Sequence, residues 1–182
     1  VKGDVMRILR LSLAGMVISA LLGGLSVVVV AQDDPMAPAM VTGTATHLSD
    51  VRLDVDVEVL PDGATLETFN FSHRWETSDP RLSGTSTLTA NWQRYGAADF
   101  EVGQTIRVIE TDDGRWVGTG THLWGGDGNK STETVILHGE DAYEGLTAYV
   151  IMAWDPPSPP QATYDAAIFP GEMPPFPVLP AE

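Results

Sequence analysis

Cysteine is absent from this sequence of 182 residues. Disulfide bonds, a cysteine nucleophile and a thiolate metal site are therefore all excluded. The fold must be held together by a hydrophobic core alone. The length of chain that follows the first 31 residues suits one domain rather than two.

Basic residues are scarce. Ten lysines and arginines stand against 25 aspartates and glutamates, and the formal net charge is −15. Such a chain repels nucleic acid and anionic membrane surfaces, so neither is expected as a partner. Acidity of this degree is typical of a soluble protein in an exposed compartment. The alternative is cation binding or adhesion to a basic partner.

Motifs of known enzyme classes are also missing. The nucleophile motif Gly-x-Ser-x-Gly does not occur, and the Gly-x-Gly at Gly118–Gly120 is not followed by a predicted helix that could receive a phosphate. The four histidines lie on four different predicted strands and show none of the short spacings of metal ligands. We therefore assign no catalytic residue, no cofactor and no metal site. The histidines are His47, His73, His122 and His138.

Side chains that carry oxygen alternate in one glycine-rich segment, at Asp127, Asn129, Ser131 and Glu133. This spacing could direct several oxygens towards a calcium ion. The glycine that a helix-loop-helix calcium loop needs at its sixth position is replaced by Thr132, however. A polar hairpin tip accounts for the same residues without an ion, and we favour it.

The beginning of the chain has the pattern of an export signal. Three basic residues among the first ten positions precede an uncharged apolar run from Leu11 to Ala31, which ends in the small residues Val29-Val30-Ala31. This order predicts a signal peptide at residues 1–31, cleavage before Gln32, and a linker at 32–40. The predicted location is secreted or extracytoplasmic, either in the periplasm or on the cell surface.

An uncleaved N-terminal membrane anchor is the alternative to cleavage. A helix over the apolar run, at about 1.5 Å per residue, would just cross a hydrocarbon core of roughly 30 Å. The polar residues that begin at Gln32 favour cleavage, after which no contact with the membrane is expected. The valine at position 1 suggests either a non-standard start codon, and hence a bacterial source, or a true start at Met6.

After the signal, apolar residues recur with a period of two. From Val51 to Val59 each valine or leucine alternates with a charged residue, which places all apolar side chains on one face of a strand. No later segment has the pattern of an amphipathic helix. Turn-forming residues separate eight predicted strands, which indicates an eight-stranded antiparallel up-and-down barrel at residues 41–154 or, as the alternative, a β-sandwich. The predicted strands are 41–48, 51–59, 64–77, 82–94, 100–111, 115–124, 131–139 and 145–154.

Residues 155–182 form a proline-rich C-terminal extension. The segment Pro156–Pro160 contains four prolines, which cannot donate to a sheet, so the barrel is predicted to end near Trp154. Residues 162–169 are apolar enough to return as a short strand or to lie across a barrel mouth. The stretch from Pro170 onwards is predicted to be extended or disordered.

Within the predicted strand 115–124, the segment from Trp116 to Trp124 is the most distinctive interior stretch. Alternation places two tryptophans and a histidine on the same face as two glycines, so the glycines leave a gap over which a ligand or a neighbouring side chain could lie. Packing by neighbours such as Trp75 or Trp92 is the alternative to a ligand. The candidate ligand-binding residues are Trp116, Gly118, Gly120, His122 and Trp124.

The segment Asp112–Ala148 has a strand rich in glycine and threonine, followed by Gly139-Glu140-Asp141-Ala142-Tyr143-Glu144-Gly145-Leu146-Thr147-Ala148. With these features it resembles the final hairpins of allene oxide cyclase-like barrels, a superfamily that includes dirigent proteins. The resemblance implies an eight-stranded antiparallel barrel with an apolar central cavity. No catalytic residue of that superfamily can be placed on this sequence by a motif.

These observations predict an exported barrel protein that binds a small apolar or amphipathic molecule or has a non-catalytic role in the envelope. An isomerase or cyclase that acts on an apolar substrate inside the barrel is the first alternative. The second alternative is a surface interaction module that uses the acidic exterior. No oligomeric state is predicted.

Overall fold

The computed structural model describes residues 34–51, 57–125, 131–155 and 161–175, and it shows nine β-strands and one short 3-10 helix there. Within these ranges no helix is long and apolar enough to cross a membrane. The predicted signal at residues 1–31 lies outside the described residues. The strands are β1 (Ala39–Val51), β2 (Glu58–Val59), β3 (Thr65–Thr77), β4 (Gly84–Tyr95), β5 (Phe100–Glu110), β6 (Gly114–Gly125), β7 (Ser131–Asp141), β8 (Leu146–Asp155) and β9 (Gln161–Pro170), and the 3-10 helix is Pro80–Leu82.

Eight of the nine strands form a closed antiparallel barrel. From β3 to β9 each strand pairs with the next strand along the chain, and β1 closes the barrel by pairing with both β9 and β3. The two-residue strand β2 pairs only with β3. The predicted eight-stranded antiparallel barrel is confirmed.

The barrel extends beyond its predicted range at both its N-terminal and its C-terminal limit. The predicted range 41–154 is too short, because β1 begins at Ala39, inside the predicted linker, and β9 is a full barrel strand. The predicted strand 51–59 contributes only the last residue of β1 and the short β2, and residues 52–56 lie outside the description. Alternation of apolar and polar residues predicts that a segment is a strand, but it does not predict which strand pairs with it. Closure required a second neighbour for β1, and β9 supplies it with alternating buried side chains.

The two ends of the barrel are distinguished by their hairpins. At the lower end, which we define by the β3–β4, β5–β6 and β7–β8 connections, Asp79 caps the 3-10 helix by accepting a hydrogen bond from the backbone N–H of Arg81 at 3.0 Å. The Arg81 Nη1 atom donates to the carbonyl oxygens of Pro35 and Ala37 at 2.7 and 3.0 Å. Arg81 thus fastens the segment that precedes β1 to the lower end. The upper end is the opposite one, where β4, β6 and β8 end and β5, β7 and β9 begin.

The lower half of the barrel is filled by apolar side chains. Trp116 is fully buried there, stacks on Tyr143 at 5.2 Å between ring centroids, and donates from Nε1 to the Arg81 carbonyl oxygen at 2.7 Å. Buried Leu82 and Ile168 belong to the same core. The same cluster of buried side chains continues to Trp75 and Tyr164 in the middle of the barrel, so the lower half is filled.

Candidate functional site

A buried ion pair crosses the middle of the barrel. Arg107 on β5 donates from Nη2 to Oε2 of Glu133 on β7 at 2.7 Å, and both side chains are at most 1% exposed. Thr105 donates to the other Glu133 oxygen at 2.9 Å, and Arg107 Nη1 donates to Ser86 at 2.9 Å. Both oxygens of the carboxylate are engaged, so the pair is a fixed unit with no net charge.

The sequence pattern did not reveal this pair because β5 turns its apolar face outwards. Val102 and Ile106 are exposed, 36% and 58% respectively, while Glu101 and Arg107 point inwards and are buried. Alternation alone would have placed the valine and isoleucine inside. A charged residue buried at nearly every atom needs a partner, and that partner lies 26 residues further along the chain.

Arg107 also begins a stack of side chains that spans the interior. Its guanidinium carbon lies 5.1 Å from the centre of the Trp75 ring, and the Trp75 and Tyr164 rings are 4.6 Å apart. A Cβ at Gly43 would lie 2.7 Å from the Tyr164 hydroxyl, so the glycine provides room for this ring. Burial raises the pKa of Tyr164, which therefore stays uncharged at neutral pH.

His73 is a neutral histidine above this stack. Burial, and secondarily the charge of Arg107 and the proximity of His47, lower the pKa of His73 from 6.5 to about 3. Its ring lies 5.3 Å from that of His47 and 4.9 Å from that of Trp154. The site therefore holds an uncharged imidazole at physiological pH.

Aromatic side chains line the interior towards the upper end. Trp92 stacks on His122 with 5.0 Å between centroids and an interplanar angle of 15°, and it also lies 5.3 Å from Phe71. These three inward-facing rings are only half-buried, so part of their surface remains accessible. We call this group the upper aromatic cluster, which comprises His47, Phe69, Phe71, His73, Trp92, His122 and Trp154.

Above the upper aromatic cluster, Arg94 forms an ion pair at the rim of the barrel. Its Nε donates to Glu101 at 2.6 Å, and its Nη1 lies 3.5 Å from Glu67. One arginine therefore faces two carboxylates. These three side chains together carry one net negative charge.

Five buried polar atoms within the described ranges have no hydrogen-bond partner, and all belong to inward-facing side chains. Arg107 Nε, Trp75 Nε1 and the Tyr164 hydroxyl lie along the central stack, while His73 Nδ1 and Trp92 Nε1 lie in the upper aromatic cluster. Buried polar groups are normally paired, and leaving one unpaired costs about 1–3 kcal/mol. Their concentration in one region of the interior marks it as the candidate site.

The five residues predicted on β6 all face inwards, but the structure distributes them between two regions. Trp116 belongs to the lower core, whereas His122 belongs to the upper aromatic cluster. Trp124 pairs with buried Glu101 near the rim.

The two glycines of β6 lie between these regions, against neighbouring atoms. A Cβ at Gly118 would collide with the Ile136 carbonyl oxygen, and one at Gly120 would lie 2.7 Å from Thr105 Oγ1. A neighbouring side chain, that of Thr105, therefore lies at the predicted gap. The central residues Arg107, Glu133, Trp75, His73 and Tyr164 were not among the predicted site residues.

The possible metal ligands are dispersed. His47 and His73 are neighbours, whereas His122 stacks on Trp92 and His138 is exposed. The part of the chain that is described contains no group of three or more residues able to hold a metal ion. Of the candidate calcium segment, Asp127 and Asn129 lie outside the description, and Glu133 is held by Arg107.

Comparison with known proteins does not assign this chain to a family. The sequence matches no protein-family model, and no curated protein is significantly similar to it. The resemblance to allene oxide cyclase-like barrels therefore stays a prediction.

Proposed function

We propose that this protein binds a small amphipathic molecule inside the upper half of its barrel. The observation that carries the proposal is the group of five unpartnered buried polar atoms next to half-buried aromatic rings. Apolar surface with a few convergent polar groups is the usual composition of a small-molecule site. The filled lower half closes the site from below.

The bound molecule would lie against the half-buried rings of Phe71, Trp92 and His122. Offset stacking on aromatic rings contributes about 0.5–1.5 kcal/mol beyond the burial of apolar area. The polar end would reach Tyr164 and Trp75 deeper in the barrel. Unpartnered polar atoms beside half-buried rings favour a ligand-binding protein over a surface interaction module, whose interior would be a packed core only.

Binding of a neutral fluorescent probe, N-phenyl-1-naphthylamine, tests the proposal. We expect saturable binding that quenches tryptophan fluorescence, since all five tryptophans occupy inward-facing positions. Trp92→Ala should weaken binding about tenfold, whereas Ile106→Ala on the outer surface should not change it. Trp92→Phe serves if the alanine variant does not fold. Absence of saturable binding, or equal binding by all variants, would overturn the proposal.

An isomerase or cyclase is the second candidate function, and neutral His73 is the observation that favours it. A neutral imidazole can polarise a substrate oxygen by donating a hydrogen bond to it, whereas the lowered pKa of His73 makes this residue a poor proton acceptor. Glu133 is also poorly suited to accept a proton because both of its oxygens are already bonded. A substrate that is turned over by the wild type and bound but not converted by His73→Phe would establish the enzyme.

Export is part of the proposal. The basic start, apolar run and small residues at 1–31 support secretion with cleavage before Gln32. N-terminal sequencing of protein recovered from the extracytoplasmic fraction should begin at Gln32. Recovery of the protein only from the cytoplasm would contradict export, and recovery with the apolar run intact would favour the membrane anchor.

A further inference from the structure

The unpartnered atoms of the interior are mainly donors. Indole and guanidinium N–H groups can only donate hydrogen bonds, so the unpartnered atoms of Trp75, Trp92 and Arg107 each require an acceptor. The Tyr164 hydroxyl and the His73 ring nitrogen can donate or accept. A molecule that satisfies this set must present acceptor atoms.

The charges around the site do not favour an anion. The Arg107 charge is balanced by Glu133 at 2.7 Å, and Tyr164 and His73 are uncharged at neutral pH. At the rim, Arg94 faces two carboxylates. A carboxylate that entered this interior would lose its hydration. None of these groups offers an unpaired positive charge that could compensate for this loss.

A cation is equally disfavoured. The unpartnered N–H groups of Trp75, Trp92 and Arg107 carry positive hydrogens and offer a cation no acceptor atom, and the Glu133 carboxylate is already engaged by its two donors. The group that fits the interior is therefore neutral and accepts hydrogen bonds, as a carbonyl oxygen does.

We infer that the ligand is an uncharged, carbonyl-bearing molecule with a flat aromatic body, whose oxygen accepts hydrogen bonds from Tyr164 and Trp75 while its rings stack in the upper aromatic cluster. This inference rests on the proposed binding function. It narrows the ligand from amphipathic molecules in general to neutral acceptors, and it assigns Tyr164 as a residue that determines specificity.

Three probes with the same ring system separate the possibilities: 2-acetonaphthone, 2-naphthoic acid and 2-ethylnaphthalene. They carry a neutral acceptor, an anion at pH 7.5 and no acceptor. Calorimetric titration of the full chain should show the ketone binding at least threefold to tenfold more tightly than the other two, the range expected for one or two satisfied hydrogen bonds.

Tyr164→Phe removes only the unpartnered hydroxyl. Its melting temperature should be unchanged or higher, because no hydrogen bond is lost within the described residues, while the affinity for the ketone should fall towards that for the hydrocarbon, since only the Trp75 donor remains. Tyr149→Phe is the matched control, since Tyr149 lies on the outward-facing side of β8. It should bind the ketone as the wild type does.

Each other result overturns a defined part of the inference. Tightest binding of the naphthoate would show that the site selects an anion, and equal binding of ketone and hydrocarbon would show that the donors are not used. Either result leaves the proposed binding function intact. If none of the three probes binds up to its solubility limit, the inference and the proposed function both fail. Unchanged ketone affinity in Tyr164→Phe removes that residue from the site.

Discussion

Arg107 and Glu133 meet at 2.7 Å although their strands, β5 and β7, are not neighbours. Strand β6 lies between them, and the residues opposite Arg107 and Thr105 on β6 are Gly118 and Gly120. The absence of side chains at these two positions lets Arg107 and Thr105 reach across β6 to Glu133. The glycine gap that is visible in the sequence is thus what allows the buried ion pair to form.

We predict that Gly120→Val lowers the free energy of unfolding by roughly 1–3 kcal/mol, because its methyl groups would displace Thr105 and lengthen the bond to Glu133. Urea unfolding measures the change. Gly96→Ala is the control, since a Cβ there meets nothing within 4 Å, and its stability should be nearly that of the wild type. A fully stable Gly120→Val variant that also loses probe binding would indicate a ligand cavity at this position instead.

Single substitutions of the ion pair should be more damaging than the double one. Arg107→Met or Glu133→Leu alone leaves a buried charge without its partner and should cost about 3–5 kcal/mol. The double variant removes both charges and should recover much of that loss. A double-mutant cycle in urea checks this expectation, and strictly additive effects would show that the two side chains do not interact in solution.

The stability of the barrel should decrease on acidification in a window set by His73. Because burial lowers the pKa of His73 from 6.5 to about 3, the unfolded chain takes up a proton between these pH values that the folded chain refuses. Stability from this residue is complete above about pH 6.5 and declines by up to about 1.4 kcal/mol per pH unit down to about pH 3.

His73→Phe keeps a ring at this position and removes the titrating group. Its unfolding free energy should depend less steeply on pH between 6.5 and 4.5 than that of the wild type. His138→Gln, on the outer surface, controls for the loss of a histidine. Identical pH profiles for wild type and His73→Phe would contradict the assignment.

The last hydrogen bonds of the barrel locate its C-terminal boundary. Gly171 donates to the Gly145 carbonyl oxygen at 2.8 Å, and its own carbonyl oxygen accepts from Thr147 at 2.5 Å. Deletion of residues 172–182 should change the melting temperature by less than about 2 °C. Deletion from Pro170 onwards should cost roughly 1–3 kcal/mol, because buried Thr147 loses its partner. Equal melting temperatures for the two truncations would show that these bonds contribute little.

Local pattern was sufficient to predict most strands. The segments near 64–77, 82–94, 100–111 and 131–139 agree closely with β3, β4, β5 and β7, since alternation and turn residues are properties of short stretches of chain. Alternation also placed Trp116, His122 and Trp124 on one face of β6, and the burial pattern shows that this face points inwards. Alternation did not predict that β9 belongs to the barrel, because the pairing of β9 with β1 joins segments more than a hundred residues apart.

The sequence by itself determined the all-β class, the antiparallel hairpins, the negative net charge and the exclusion of thiol chemistry, since these follow from composition and from near neighbours in the chain. Only the tertiary structure decided which strand closes the barrel and which polar groups meet inside it. Arg107, Glu133, Trp75 and Tyr164 come from four strands, and their approach depends on register and closure. Those are cooperative properties of the whole sheet, so no local stretch of sequence specifies them.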